Sequence, residues 1–442
     1  MLIIQPQSAE YSIEASALSL SIGETVTLQG MVYKIREMSG FAFILLQTRT
    51  QLCQCVWSPD FTDFPLSALH PGAAVRVKGA VTEEPRSHTG YELRLLSCTL
   101  LNSPSREEPP VVINNREATA ALDTLLDYRP LTLRNQKERA IFVIQAALCA
   151  GFRRFFIENG FTEIHSPKLC SGGAEGGTEV FQVDYFGKPA CLAQSPQLYK
   201  QMMVGVFERV YEIAPVFRAE KHDTARHINE YTGVDFEMGF ITSFHDLMRM
   251  EARLIASALS YVDSVCPEEL ALLKTELPKT DAIPAIPFDE AKLIIADAYH
   301  RPVTDPLDFD PEEEKLLGAL IKQETGSDFV FVTHYKSAKR PFYTMDTPGN
   351  PDVTESFDLL FRGMEVTTGG QRIHDYDMQL DKMRARGVDP ALFESYLSAH
   401  KYGLPPHGGL GIGLERFTAR LLGFDNVRRA TLFPRDTHRL EP

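Results

Sequence analysis

The sequence is poor in cysteine, with seven residues in 442, and has one tryptophan. The cysteines (53, 55, 98, 149, 170, 191 and 266) are scattered among apolar neighbours. Only Cys53 and Cys55 stand close together, and as strand residues they are read as facing opposite sides. A structural zinc site wants a second pair at similar spacing, and none follows. The odd count, without a secretory leader, fits a reducing, cytoplasmic setting. The opening MLIIQPQSAEYS lacks the basic segment and long apolar stretch of such a leader. No uninterrupted apolar run reaches the ~18 residues of a membrane-spanning helix, so no membrane partner is expected. Two nucleotide-binding signatures are also missing. GxxxxGK[ST] does not occur, which excludes a P-loop. "GLGIG" (409–413) lacks the third glycine at its required spacing and the βαβ context of a dinucleotide fold.

What is present describes a globular chain, 44% hydrophobic and 24% charged. Its length suits two or three domains. The net charge of −14 opposes indiscriminate binding of nucleic acid. That acid lies downstream, because the charges of Met1–Arg106 nearly balance.

Strand-like segments fill the N-terminal region: 25–35, 41–47, 51–57, 73–82 and 91–100, separated by Ser39-Gly40, Pro71-Gly72 and Thr89-Gly90. Five strands in about eighty residues fit a small barrel, with the OB-fold as one candidate among small β-domains. Residues 1–104 are assigned to this domain and 105–130, proline-bearing and charged, to a hinge. From 131 to 442 the pattern becomes mixed α/β. Ile141, Ile144, Leu148, Phe152 and Phe155 mark one face of a helix from Gln136 that stops at Asn159-Gly160. Further helices are expected after Pro196 and over 243–265. The acidic stretch "DPLDFDPEEEK" makes 266–340 read as a peripheral insertion.

Four segments of the second domain put arginine and carboxylate on apolar elements. "VYEIAPVFRAE" (210–220) ends in Arg218 and Glu220, and "RHINEYTGVDFEM" (226–238) reads as its returning strand. "GMEVTTGGQRIHDYD" (363–377) carries Glu365, Thr368 and Arg372. "GGLGIGLERF" (408–417) delivers Glu415 and Arg416. Guanidinium forks over a glycine-lined floor suit a polyphosphate. A carboxylate with a nearby hydroxyl suits Mg²⁺ beside a nucleotide. Any one of these pairs could equally be a surface ion pair; four with the same apolar framing argue for a site.

With these motifs in order, the chain resembles the class II aminoacyl-tRNA synthetases, and among them the aspartyl enzymes of archaeal and eukaryotic type. "FIENGFTEIHSPKL" (156–169) looks like the first class signature, "FRAE" with "RHINEYTGVDFEM" like the second, and "GIGLER" like the third. "EGGTEVF" (175–181), "QSPQLYKQ" (194–201) and "GMEVTTGGQRIHDYD" carry the subfamily resemblance. It implies a multidomain β plus α/β protein: a five-stranded OB-fold barrel, then an antiparallel catalytic sheet flanked by helices, assembled as a homodimer. It also implies ATP and Mg²⁺ as cofactors, with L-aspartate and tRNA(Asp), or both tRNA(Asp) and tRNA(Asn), as substrates.

By the same resemblance Arg218, Glu365 and Arg416 are the catalytic set. ATP would meet Arg218, Ala219, Glu220, Arg226, His227, Ile228, Tyr231, Glu365, Gly413, Leu414, Glu415 and Arg416. Tyr231 would lie beneath the adenine and Arg416 above it. Mg²⁺ would be held by Glu365 and Thr368. Aspartate would meet Glu175, Gln197, Leu198, Tyr199, Lys200, Arg218, Asp235, Thr368 and Arg372. Lys200 and Arg372 would neutralise its side chain, and an asparagine amide would leave that buried cation unpaired. In the barrel, Phe43, Gln54 and Glu92 match base-reading positions, and Tyr33 and His88 match the positions tied to anticodon choice. The chain departs from the family there, at Tyr33 and His88 and with Gln47, Thr48 and Gln51 replacing the usual Arg-Asp and Gly. Three rivals remain: a tRNA-independent aspartyl-adenylate amide ligase, an asparaginyl-tRNA synthetase, and an inactive nucleic-acid-binding paralogue.

Overall fold

A computed structural model of the protein describes residues 13–87, 89–103, 109–115, 117, 119–171, 179–221 and 224–441. Glu175 and His88 lie outside the described residues. The chain forms two compact units, Met1–Asn115 and Arg116–Pro442.

In the first unit, strands β1 (Thr25–Glu37), β2 (Ala42–Gln47), β3 (Leu52–Trp57), β4 (Ala74–Glu83) and β5 (Tyr91–Asn102) close into a barrel of order β1-β2-β3-β5-β4. Period-two alternation sends one residue set inward: Val26, Leu28, Ile44, Leu46, Val75, Val77, Leu93 and Leu95 fill the interior. Burying each of these side chains contributes roughly 1.5–3 kcal/mol. Cys53 and Cys55 belong to the same interior set, correcting the expectation that they face apart. Residues two apart on a strand share a face. The β1–β2 register slips between Val32 and Lys34, which makes Tyr33 a bulge residue.

In the second unit, β6 (Thr162–Glu163), the ribbon of β7 (Leu169–Cys170), β8 (Gln182–Tyr185) and β9 (Lys188–Leu192), and the hairpin of β10 (Arg209–Phe217) and β11 (Glu230–Gly239) come first. Then follow β12 (Ala285–Pro287), β13 (Phe329–Thr333), the pair β14 (Asp346–Thr347) and β15 (Asn350–Thr354), β16 (Ser356–Phe361), β17 (Glu365–Gln371) and β18 (His407–Gly413). Eight of these build one sheet of order β12-β13-β16-β17-β18-β11-β10-β6. Its six central strands pair antiparallel, as expected, while the edge strands β12 and β6 pair parallel.

Helices Gln136–Glu158 and His245–Val265 pack together on this sheet, with Ile144, Leu148, Phe152, Leu254, Ala258 and Phe236 in one core. Gly151 permits their close crossing, because a Cβ there would meet the Ala258 Cα at 2.9 Å. The first helix stops at Asn159, followed by Gly160 at φ +75°. By length and composition it is apolar enough to cross a membrane, although polar and charged residues interrupt its apolar runs. Its apolar face is instead covered by protein.

Two expectations about outlying segments need correction. Within 105–130, residues 122–127 are helical, and Arg129 begins a further short helix. Arg129 is fully buried, pairs with Glu138 at 3.4 Å and donates to the carbonyls of Arg429, Thr431 and Leu432. Nor is 266–340 wholly peripheral. Its β13 is an inner strand paired with β16, and helices Phe288–Tyr299 and Pro311–Thr325 cover that end of the sheet.

Candidate active site

The β10–β11 hairpin sets the site. Its register runs from Arg209↔Met238 to Phe217↔Glu230, so Arg218 and Glu220 emerge just beyond the last pair. Asn229 closes the loop between them. Its carbonyl accepts the Arg218 N–H at 2.8 Å, and its amide donates to the Arg218 and Glu220 carbonyls at 2.8 and 2.9 Å. Sequence reasoning passed over Asn229 because its work is entirely main-chain bonding.

A cleft with about 900 Å³ between its walls, solvent included, opens over β11, β17 and β18. Of the expected ATP residues, Arg218, Glu220, Arg226, His227, Ile228, Tyr231, Glu365, Gly413, Glu415 and Arg416 line it; of the expected aspartate residues, Gln197, Lys200, Asp235 and Thr368 do so too. Their convergence on one cleft sets them apart from scattered surface ion pairs. Arg218 pairs with Glu220 at 3.6 Å inside the cleft, and its guanidinium lies 5.6 Å over the Tyr231 ring. Ala219, Leu198, Tyr199 and Leu414 do not line it. Leu414 is core, and Leu198 packs beside Phe342 and Met383.

At one end, the Thr368 hydroxyl donates to the Glu365 carboxylate at 3.0 Å, and the Arg416 guanidinium stands 3.8 Å from the same oxygen. Burial works against ionisation of Glu365, but Arg416 and Thr368 outweigh it and hold the carboxyl below its ordinary value. An ionised carboxylate beside a hydroxyl, both in the cleft wall, is a hard oxygen donor pair that fits Mg²⁺. The Arg416 side chain also donates to the carbonyls of Arg226 and Glu365, at 3.4 and 3.3 Å. Glu415 faces back, its oxygens accepting the Thr232 N–H at 3.0 and 3.1 Å, and burial pushes its carboxyl up to about 7.

At the other end, the Lys200 ammonium bonds Asp235 at 2.9 Å and the Leu410 carbonyl at 2.8 Å. Arg372 donates to Glu237 at 2.9 Å, to the Gly409 carbonyl at 2.9 Å and to Gln197 at 3.3 Å. It is 5% exposed and stands behind Gln197 rather than in the cleft lining. The expected bare pair of cations is therefore a buried quartet with matching acids, since Glu237 also lies 3.5 Å from Lys200. Burial raises the Asp235 carboxyl, with Lys200 opposing. The glycines of β18 serve this quartet. Gly409 lies opposite Glu237 and Gly411 opposite Asp235. A Cβ at these glycines would fall 2.2 Å from the Glu237 carboxylate and 2.9 Å from that of Asp235. Of the glycines expected to floor a polyphosphate site, these two make room for carboxylates, while Gly411 and Gly413 also line the cleft. Gln194 Oε1 and Gln197 Nε2 are buried without a hydrogen-bond partner among the described residues, and both residues face the cleft. Buried polar groups of this kind suit a polar ligand.

Three acids escaped sequence reasoning. Glu237 lies two residues beyond Asp235 on β11, a same-face spacing that could have flagged it. Asp358 on β16 is buried against Arg340 at 2.8 Å, and burial, with Arg340 opposing and Glu365 reinforcing, pushes it up to about 6. Glu314, from helix Pro311–Thr325, reaches Arg226 at 2.5 Å and accepts the Glu365 N–H at 2.9 Å. Burial pushes it up to about 7 against the pull of Arg226.

Comparison with known proteins agrees with this geometry. The family described as tRNA synthetases class II (D, K and N) matches residues 121–437, and OB-fold nucleic acid binding domain matches 26–101. The aspartate–tRNA(Asp/Asn) ligase of Deinococcus radiodurans is 47% identical over 95% of this chain and 96% of its own. The aspartate–tRNA(Asp) ligase of Thermococcus kodakarensis is 39% identical, over 95% and 97%. Among solved structures, the asparaginyl-tRNA synthetase of Pyrococcus horikoshii with asparaginyl-adenylate superposes with a TM-score of 0.91 at 29% identity, covering 98% of this chain and all of that one. The aspartyl tRNA synthetase of Entamoeba histolytica gives 0.86 at 30%, over 100% and 96%. With the barrel, the catalytic sheet and the arginine-lined cleft in place, the chain belongs to the class II tRNA synthetases of the D, K and N group.

Proposed function

We propose that the protein is an aspartate–tRNA ligase, activating L-aspartate with ATP and passing the aspartyl group to tRNA. The observation that carries this reading is the two-ended cleft: Arg218, Arg226 and Arg416 around Glu365 and Thr368 at one end, and Lys200 with Asp235 at the other. ATP lies at the first end. Arg218 meets the α-phosphate, Arg226 and His227 the outer phosphates, and Glu220 the adenine amino group. Glu365 and Thr368 would hold Mg²⁺, which supplies charge neutralisation to the phosphates when bound. The aspartate α-carboxylate attacks the α-phosphorus in line, and Arg218 bonds the oxygens on which negative charge grows. Pyrophosphate leaves, and a terminal ribose hydroxyl of tRNA then attacks the mixed anhydride.

Specificity falls to the second end. Asp235 and Gln197 suit the substrate ammonium, while Lys200 and Arg372 suit its distal carboxylate. Their cations are already matched by Asp235 and Glu237, so discrimination against asparagine rests on the hydrogen bonds they have left to donate. The likeness to an asparaginyl enzyme is structural at 29% identity, whereas relatives at 47% identity carry an aspartate–tRNA(Asp/Asn) name. The same names support charging of both tRNA(Asp) and tRNA(Asn). The barrel argues against an amide ligase that bypasses tRNA. The complete arginine set, beside a carboxylate and hydroxyl fit for a metal, argues against an inactive paralogue.

We propose a homodimer as well. The Gly239–Glu208 and Arg209–Asn159 hydrogen bonds gather Ile157, Val206, Phe207 and Phe240, all exposed, at one end of the β10–β11 hairpin. A second copy of the same surface would cover them. All seven cysteines are free, which suits the reducing cytoplasm.

Aspartate-dependent exchange of labelled pyrophosphate into ATP tests the first step. Aspartylation of purified tRNA(Asp) and tRNA(Asn) tests the second. Exchange with asparagine in place of aspartate, or charging of neither tRNA, would overturn the reading; charging of tRNA(Asp) alone would narrow it.

A further inference from the structure

Four residues from four separate elements close a ring at the phosphate end of the cleft. The Arg226 guanidinium, in the β10–β11 loop, meets the Glu314 carboxylate at 2.5 Å. Glu314 accepts the Glu365 N–H at 2.9 Å, at the start of β17. Arg416, in the helix after β18, donates to the Glu365 carbonyl at 3.3 Å. It returns to the Arg226 carbonyl at 3.4 Å. Arg226, Glu365 and Arg416 belong to the motifs that build the cleft. Glu314 comes from the acidic run PEEEK, in a region that reads as peripheral.

An acid at a triphosphate site needs a reason, because its charge opposes that of the ligand and weakens binding. Glu314 does not line the cleft. It stands behind Arg226, 7% exposed, where its partners are a guanidinium and a main-chain N–H. The fold brings its helix unusually close. A Cβ on Gly318 would meet the Gly363 N at 2.6 Å, and one on Gly363 would meet the Lys315 Cα at 2.8 Å. Two glycines thus let helix Pro311–Thr325 dock against the β16–β17 turn, two residues before Glu365. The contact fixes Glu314 by main-chain packing rather than by a flexible reach.

We propose that Glu314 is a positioning residue for nucleotide binding: it holds the Arg226 guanidinium and the start of β17 in register, so that the outer phosphates meet an ordered arginine. The inference rests on the reading of this end as the ATP site. Without Glu314 a long side chain with a few rotatable bonds is released, and ordering it falls to the ligand.

The test is pyrophosphate exchange by the full-length protein, with KM determined separately for ATP and aspartate, and with ATP binding measured by equilibrium dialysis. For Glu314→Gln we expect the ATP KM and Kd to rise about tenfold, with the aspartate KM and the thermal midpoint close to wild type. Glu314→Asp, which keeps the charge, recovers part of the loss. In the double variant with Arg226→Lys, the second change adds little to the first, as two members of one unit require. An unchanged ATP KM in Glu314→Gln, or fully additive losses in the double variant, overturns the proposal. So does an equal loss in the ATP and aspartate KM accompanied by a lowered midpoint, which marks a merely structural role. Should Glu314→Gln fail to fold, the Glu314→Asp and Arg226→Lys pair decides by the same additivity criterion. Wild-type protein without aspartate-dependent exchange would refute the site reading itself, a result distinguishable from all of these.

Discussion

The cleft and the barrel use the same residue types in opposite ways. In the cleft, charged side chains are buried and partnered: Lys200 with Asp235, Arg372 with Glu237, Arg226 with Glu314. The partners come from separate elements, β11 with a helix or with the end of β17, and a loop with a helix, so their geometry is set before any ligand arrives. In the barrel, the residues matched to base reading are ordinary strand positions. Phe43 and Gln54 sit half-buried on the outward-facing sets of β2 and β3, at pairs Phe43↔Val56 and Leu45↔Gln54. Phe43 touches Phe41 edge-on at 5.3 Å. Glu92 is buried, and the Tyr33 hydroxyl is occupied by the Ile113 carbonyl at 3.0 Å. Chemistry on a small charged substrate demands preorganised charge. Reading a splayed base demands an exposed flat face and an edge, which many strand residues offer.

Breaking the cleft should therefore cost far more than breaking the barrel, and in a different assay. Arg218→Ala removes a donor aimed at developing charge, and exchange should fall about 1000-fold. A loss under tenfold would place the chemistry elsewhere. Glu365→Gln should lower exchange roughly 100-fold at fixed Mg²⁺, by analogy with the cost of disturbing a metal's ligand set. Direct Mg²⁺ titration, followed by the magnesium dependence of ATP binding, should show the weaker affinity independently of turnover. Phe43→Ala should leave pyrophosphate exchange at the wild-type level while raising the tRNA KM about tenfold, the scale of one lost base stack. Equal tRNA KM values in wild type and variant would reduce Phe43 to a packing residue.

The same contrast decides what could be read from the sequence. The barrel strands were legible within one or two residues at each end, because alternation and Gly-bearing turns are local signals. The long helices over 136–158 and 245–265 were legible for the same reason, through 3.6-residue periodicity. The cleft arginines were legible as motifs, yet Glu314 and Glu237, which hold Arg226 and Arg372, were not. The run Glu312-Glu313-Glu314 belongs to the acidic stretch that reads as a peripheral insertion. In the structure Glu312 is exposed, while Glu313 completes a capping box with Asp310 and pairs with buried Lys292 at 2.8 Å. Glu314 packs behind the cleft wall, against Arg226. Three identical side chains have three fates because helix phase and long-range docking, both non-local, assign them. Arg129 makes the same point: a charged residue in an apparent linker is fully buried, with carbonyls some three hundred residues downstream as its partners. The pairing of Gly409 with Glu237 and of Gly411 with Asp235 was invisible too, since register between strands far apart in sequence decides which Cβ would collide.

The smallest effect sharpens the comparison from behind the cleft. Glu251, in helix His245–Val265, lies fully buried beneath β16 and β17, with no cation paired to it among the described residues and the Thr367 hydroxyl as its polar neighbour. Burial pushes its carboxyl up to about 8, with the Thr367 hydroxyl opposing and Asp358 reinforcing. The native state thus keeps a proton that the unfolded chain releases near the ordinary value of 4.5. The stabilisation is fully present below that value and is lost as pH rises through about 8. Glu251→Gln carries no such proton. Between pH 5.5 and 8 the apparent melting temperature of the wild type should therefore fall by a few °C relative to the variant, each kcal/mol being worth roughly 2–4 °C in a domain of this kind. Parallel melting curves across that range would mean that Glu251 is ionised in the folded protein, and that the sheet behind the cleft tolerates a buried charge with no cation paired to it.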